Sequence, residues 1–366
     1  MPHPRYRTAI VGTGGIATAH VQALREHDDR AELTAVVDVD PDRAGGFATA
    51  WGVPKVYPDL TELLRDAPVD LVHLCTPPAS HTPLALQCLD AGVSVLVEKP
   101  PTLSLAELDI LAAAARETGA HVATVFQHRF GAGALRLRAM AEAGQLGRSL
   151  LATCVTQWYR DDAYFDVPWR GRWETEGGGP TMGHGIHQFD LLLSVLGPWE
   201  TVTAVAARRA RRIETEDVSM ALVTFADGTV ASVVNSVVSP RQTSALRFDY
   251  EHATIEVEHL YGYRDDDWTV TAAPGHTDVE TRWRSSRTDA TSGHAGQLAA
   301  VYDALDAGAP PPVALADTRQ TVEFIAALYA SAFTGERVHR GQIGPDSPFA
   351  QRMNGTGTPW QAATIR

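Results

Sequence analysis

The sequence predicts two α/β domains in one chain. A doubly wound parallel sheet over residues 1–130 precedes an α+β domain over 131–338, built on a large, mostly antiparallel open sheet, and a tail follows over 339–366. Three observations predict this. Strand-like and helical segments alternate as far as about residue 126, the pattern of a parallel sheet with crossover helices. From about Ala132 strand-like runs with hairpin signals take over. The length of 366 residues also exceeds what a single hydrophobic core usually serves.

Composition narrows the function classes. Hydrophobic residues make up 44% and charged residues 20%, as in an ordinary globular protein. A formal charge of −13 argues against nucleic acid or an anionic membrane as the main partner. Cys75, Cys88 and Cys154 show no CxxC spacing, so neither a zinc site nor a disulfide framework is indicated, and no metal is expected. No apolar run reaches transmembrane length, and the N-terminus lacks a signal-peptide apolar region, so a cytoplasmic protein is expected.

The first domain opens with a buried strand, Tyr6 to Val11, that runs into Gly12-Thr13-Gly14-Gly15-Ile16-Ala17. This G-x-G-x-x-A stands between a strand and an amphipathic helix, the setting in which it cradles a dinucleotide. Gly12 permits the tight turn, Gly14 lets a pyrophosphate approach the backbone, and the small Ala17 lets helix and strand pack closely. The helix N-terminus offers N–H groups and positive potential to phosphate. Thr13, Gly15 and Ile16 complete that loop. A second strand, Glu32 to Val37, ends at Asp38, where a carboxylate would accept from the adenosine ribose and repel a 2′-phosphate. NAD is therefore expected over NADP, with Arg43 in the next helix the residue that could soften the preference. Asp40, followed by Pro41, is expected to cap that helix. Strands at Asp70–Cys75, Val93–Val97 and His121–Phe126 follow, with helices at His81–Ala91 and Ser104–Thr118. The strand ends carry Thr76, Pro77 and His81, then Glu98 and Lys99, then Gln127 and Arg129. Ligands of such sheets bind at these carboxyl ends, so all are candidate cofactor or substrate contacts.

In the second domain a helix over Leu135–Ala143 precedes strands at 150–158, 201–208, 218–225, 229–236, 245–250 and 253–259. Ala226-Asp227-Gly228 signals a hairpin. An open sheet with one free face predicts a homodimer or homotetramer. Residues 263–292 read as charged and irregular. Helices around His294–Ala307 and Asp317–Phe333 are expected to return toward the first domain, and the tail to be extended or disordered. The stretch Glu176–Asp190, E-G-G-G-P-T-M-G-H-G-I-H-Q-F-D, stands out. Its glycines predict a backbone that bends freely and admits a ligand. A helix then runs to Gly197-Pro198, with His184, His187 and Asp190 on one face. Imidazoles and a carboxylate so placed suit proton transfer.

The motifs G-T-G-G-I-A at 12–17, C-T-P-P-A-S-H at 75–81, E-K-P at 98–100 and G-G-G-x-x-x-x-x-G-I-H-x-x-D at 177–190 together resemble the Gfo/Idh/MocA family, over about residues 6–338. The resemblance implies a Rossmann domain, a second domain with an open sheet, bound NAD or NADP, and oxidoreduction of sugars, inositols and related polyols. It maps the family's lysine onto Lys99 and its catalytic histidine onto His187. Trp169-Arg170 resembles a pair found near the nicotinamide. The family often places an Asp four residues before the histidine, where this chain has Gly183. His184, Asp190 or a water could fill the role.

In the expected mechanism His187 moves the hydroxyl proton, and Lys99 hydrogen-bonds the same oxygen and stabilises its developing charge. Arg129, Trp158, Tyr159, Trp173, His184 and Asp190 are expected to line the substrate pocket, with Lys99 and His187. Two alternatives share the fold: cleavage of a glycoside with no net NADH, and a non-catalytic sensor of dinucleotide and sugar.

Overall fold

A computed structural model describes residues 5–258, 261–288 and 290–360. The chain forms two compact units, residues 1–102, 107–125 and 294–318 in the first and residues 103–106, 126–293 and 319–366 in the second. The expected boundaries at 130 and 338 are thus replaced by an interleaved division.

In the first unit β1 (Tyr6–Val11), α1 (Ala17–Arg25), β2 (Ala31–Val37), α2 (Pro41–Trp51), β3 (Lys55–Tyr57), α3 (Leu60–Asp66), β4 (Leu71–Leu74), α4 (His81–Asp90), β5 (Ser94–Val97), α5 (Leu105–Thr118) and β6 (Val122–Thr124) alternate. The six strands lie in the order β3-β2-β1-β4-β5-β6, all pairs parallel. Strand β4 is buried at every position, as a sheet covered on both faces requires. Asp40 caps α2 by accepting from the Asp42 and Arg43 N–H groups, with Pro41 at the first helical position. Both roles were legible in the sequence.

The second unit carries α6 (Ala132–Glu142), β7 (Ser149–Tyr159), the single turns α7 (Trp173–Glu176) and α8 (Pro180–Gly183), α9 (Ile186–Leu196), then β8 (Trp199–Ala207), β9 (Val218–Phe225), β10 (Val230–Ser236), β11 (Val238–Tyr250), β12 (Ala253–Glu258), β13 (Trp268–Ala272) and α10 (Asp278–Ser285). The expected hairpin joins β9 to β10, with Gly228 at φ +90°. β13 and α10 fall where an irregular segment was expected; His259, assigned to the β12 strand, lies outside the described residues. Helix α11 (His294–Asp306) belongs to the first unit, where it packs on α1. Arg30 pairs with Asp303 and Asp306 at 2.7 and 2.6 Å, and Tyr6 stacks on Tyr302. Helix α12 (Leu315–Thr334) falls mostly in the second unit.

Strand β14 (Val338–His339) pairs with β8 and completes an eight-stranded sheet, β13-β12-β11-β7-β10-β9-β8-β14. Only β7 and β10 run parallel in it. The short α13 (Pro348–Gln351) follows. The tail is therefore neither detached nor disordered as far as it is described. Phe349 and Met353 are buried and the Trp360 indole donates to the Glu214 carbonyl at 2.9 Å; residues 361–366 lie outside the described residues.

Candidate active site

The turn after β1 fits a dinucleotide. Gly12 has φ +89°, and a Cβ there would meet the Cys75 carbonyl at 2.9 Å, so only glycine lets the chain turn so close to β4. Beyond it Gly14, Gly15 and Ile16 are exposed, and their N–H groups find no protein acceptor among the described residues. Open donors at the head of α1 are what a pyrophosphate needs. Thr76 packs under this turn, its Cγ2 2.9 Å from the same Cβ position. Pro77 beside it is exposed.

Asp38 is buried and accepts from the Thr13 N–H and hydroxyl, both at 2.8 Å, and from the Asp40 N–H at 3.0 Å. Arg43 grips it with two N–H groups at 3.0 and 2.5 Å. Burial pushes the Asp38 carboxyl up, but Arg43 and the amide donors outweigh it and hold it well below the usual carboxylate range. Arg43, the residue expected to soften an NAD preference, is thus bound to Asp38 itself.

Two expected cofactor contacts are committed to the fold instead. His81 is 1% exposed, and its ring nitrogens lie 2.8 Å from the Pro100 and Thr76 carbonyls, which ties two strand ends together and leaves neither nitrogen for a ligand. Glu98 sits between His20 (3.1 Å) and His294 (3.2 Å), while its other oxygen accepts the Lys99 N–H at 3.1 Å. Burial pushes Glu98 up, yet the two imidazoles bring it well below its ordinary value, so it stays ionised. His20 in turn meets His73, Nδ1 to Nδ1 at 2.9 Å, and burial lowers both imidazoles. The consistent assignment runs protons from His73 to His20 to Glu98, leaving the His73 Nε2 lone pair without a partner among the described residues. Donor atoms of His20, Glu98 and His294 lie within 4.8 Å of one another, but hydrogen bonds alone account for these lengths. Lys99 is half-buried and follows directly.

In the second unit the glycine run is packed rather than flexible. A Cβ on Gly178 would stand 2.3 Å from the Tyr329 hydroxyl, and one on Gly179 would stand 2.0 Å from the Glu216 carbonyl. The buried Glu216 carboxylate accepts from Gly179 N–H, Thr181 N–H and Tyr329 O–H at 3.1, 3.0 and 2.9 Å. Protein atoms, not a ligand, demand these glycines.

That anchored turn delivers His187 to the first turn of α9, 1% exposed, with its ring 4.8 Å from His128, 5.4 Å from Tyr261 and 6.2 Å from Phe126. Contrary to the expectation of a shared helix, His184 ends the α8 turn. It meets Trp158 edge-on at 4.9 Å, and its Nε2 lies 3.4 Å from the Tyr164 hydroxyl. Arg170 stacks on Tyr164 at 3.7 Å and on Trp169 at 5.1 Å. Gln127, in the turn before His128, is buried with Oε1 lacking a partner among the described residues.

Four expected pocket residues, Arg129, Asp190, Trp173 and Tyr159, are engaged elsewhere. Asp190 has no exposed surface and is held by Arg129 through two bonds of 2.5 Å, so this pair braces α9. Trp173 packs on Tyr329 and Phe333, with its indole N–H on the Glu214 carbonyl. Tyr159 is 43% exposed beneath Arg211. Sequence reasoning missed His128 and Tyr261, which reach His187 only through the fold. It also missed Glu176. This buried carboxylate accepts the Gly171 N–H at 2.5 Å, and its Oε1 lies 3.4 Å from where a Cβ on Gly183 would stand.

Residues 6–126 match the family model described as an oxidoreductase family with an NAD-binding Rossmann fold, and residues 134–257 match that of the GFO/IDH/MocA C-terminal domain. The chain belongs to this family. It is an NAD-dependent oxidoreductase, and its relatives include named dehydrogenases. The D-glucoside 3-dehydrogenase of Escherichia coli is 28% identical over 91% of this chain and 97% of its own. A putative UDP-kanosamine synthase oxidoreductase subunit of Amycolatopsis mediterranei is 36% identical over 52% of each chain. Among solved structures, the WlbA dehydrogenase of Chromobacterium violaceum, in complex with NADH and UDP-GlcNAcA, superposes with a TM-score of 0.83 at 27% identity, over 93% of this chain and 97% of its own. Among the described residues no helix is long and apolar enough to cross a membrane.

Proposed function

We propose that this oxidoreductase dehydrogenates a secondary alcohol of a sugar, inositol or related polyol, or reduces the corresponding ketone. His187 carries the hydroxyl proton and Lys99 holds the same oxygen as charge develops on it. NAD, when bound, supplies the hydride acceptor or donor; Gly12–Ile16 and Asp38 hold it, with Thr76, Pro77, Gln127, Trp169 and Arg170 as further contacts. The observation that carries this reading is His187 itself, an almost wholly buried imidazole among aromatic and imidazole rings, where few solvent paths compete for its proton. Trp158 and His184 beside it suit a sugar, whose C–H faces stack on an aromatic ring while its hydroxyls need polar partners.

Glu176 supports catalysis over a silent sensor. The missing acid at Gly183 is the feature that favoured the sensor, and a carboxylate stands in the space in front of that glycine. The test is NADH formation across a panel of sugars, inositols and glycosides. His187→Ala and Lys99→Ala are each expected to lower kcat by about a hundredfold or more, with NAD binding by calorimetry retained. Full activity in either variant removes that residue from the mechanism. Aglycone release without NADH would point to glycoside cleavage instead.

A further inference from the structure

We propose that the substrate of this site carries an oxyanion, a sugar-borne phosphate or carboxylate, seated by Arg160 and Arg241. The proposal rests on the dehydrogenase reading above and extends it to the class of substrate. Within the second unit, Trp158, Arg160, Arg241, Gln242, Thr243, Ser244, Glu258 and Tyr261 line a cavity of about 460 Å³, a size suited to a ligand larger than a monosaccharide.

The cavity adjoins the buried histidines, because two of its lining rings also touch them. Tyr261 lies 5.4 Å from the His187 ring and 5.3 Å from Trp158, and Trp158 meets His184 at 4.9 Å. A sugar ring seated at His187 and passing between Tyr261 and Trp158 would extend its substituents toward the two guanidinium groups.

Those groups are set for an anion. Arg160 lies over the Trp158 ring at 4.7 Å and over Tyr164 at 5.2 Å, with Nη1 donating to the Tyr159 carbonyl at 2.9 Å and to Gln242 Oε1 at 3.3 Å. These contacts fix the plane of the fork but neutralise none of its charge. Neither Arg160 nor Arg241 has a carboxylate partner among the described residues, although Glu258 stands on the same lining. With two guanidiniums against one carboxylate, the lining is net positive in a chain of net charge −13. Planar forks of N–H donors match phosphate and carboxylate oxygens. The Trp158 indole is held by the Ser244 hydroxyl at 2.7 Å, so the aromatic wall is fixed before ligand arrives.

Matched ligands test this on NAD-loaded enzyme: a methyl glucoside, glucuronate, UDP-glucose and UDP-glucuronate. Calorimetry reads binding and NADH formation reads turnover. Binding of at least one anionic member is expected to be tenfold or more tighter than the neutral glycoside and to weaken with added salt. Arg241→Ala and Arg160→Ala are each expected to raise its Kd about tenfold, well beyond any change in the Kd of the neutral glycoside. The glucuronate and UDP-glucose arms separate a carboxylate from a phosphate source. Equal affinity for charged and neutral members, or anion binding that survives both substitutions, overturns the proposal. Anion binding lost in the variants, with no NADH from any member, would keep the oxyanion site and sink the dehydrogenase reading.

Discussion

Glu176 is the residue whose role most depends on three-dimensional placement. An aspartate at position 183 would carry its carboxylate oxygens about 2.4 Å beyond its Cβ by ordinary covalent geometry, and Glu176 Oε1 lies 3.4 Å from that Cβ position. The carboxylate reaches the region from the other direction, out of α7 across the glycine run. If it serves the proton-carrying histidine, Glu176→Gln should lower kcat by about ten- to a hundredfold and move the acid limb of the pH–rate profile. Gly183→Asp in the Glu176→Gln background should recover part of the loss, because it returns a carboxylate to the same space. Unchanged kcat and pH profile in Glu176→Gln would leave the residue as a tie to the Gly171 N–H. Rescue also distinguishes chemistry from stability, since an added aspartate does nothing for that tie.

At the scale of elements, the first unit carries a pH-sensitive link between α1, β4, β5 and α11. His73, His20, Glu98 and His294 form one hydrogen-bonded chain across them. Burial keeps His20 and His73 neutral, with folded pKa values lowered below the ordinary 6.5. The unfolded chain therefore binds protons that the folded chain refuses once pH drops below about 6.5. Stability should be full above that pH and fall as pH drops, each histidine adding a slope of up to about 1.4 kcal/mol per pH unit until its folded pKa is reached. Glu98, lowered in the fold, adds a loss only at more acidic pH, below about 4.3. Thermal melts from pH 7.5 to 5 should show a falling Tm, with a shallower fall in His73→Gln, where an amide donor replaces one titrating ring. A Tm independent of pH across this range, or an equal slope in the variant, would refute the link. The strands and the Gly12 turn of this unit were legible because buried parallel strands read as continuous apolar runs and a φ of +89° demands glycine. β3 was not, being three residues long with a largely exposed pattern. α10 was missed because only Val279 and Trp283 of its eight residues are buried, too thin a stripe among charges to show a period. The site divides the same way. His187 stood in a local motif, whereas Arg129 and Asp190 read as pocket groups until their bidentate pairing placed them against each other. No spacing in the sequence joins Glu176 to Gly183, because two single helical turns and the glycine run fold the chain back between them.

At the scale of the whole molecule, the eight-stranded sheet leaves an apolar surface that a lone chain would expose to water. Leu222 is 68% exposed, Val205 65%, Met220 49% and Val230 46%. They share one face: Met220 pairs with Val205 across β9 and β8, Leu222 follows two residues on, and Val230 lies opposite Leu151, itself 42% exposed. Scattered exposed apolar residues need no explanation, but neighbours on one face of adjacent strands form a patch, and such patches mark association surfaces. A second copy of this chain is the partner best matched to it, since the same flat sheet can meet itself about a two-fold axis and bury each patch against the other. The enzyme should sediment at micromolar concentration as a homodimer or homotetramer, well above the 39.4 kDa of one chain. Leu222→Glu, at the centre of the patch, should shift the population toward monomer while far-ultraviolet circular dichroism stays unchanged, because a carboxylate buried in an apolar interface has no partner to offset its lost hydration. A single sharp species at monomer mass in the unaltered protein would show that the sheet face is free, and an unchanged oligomer in Leu222→Glu would move the interface elsewhere.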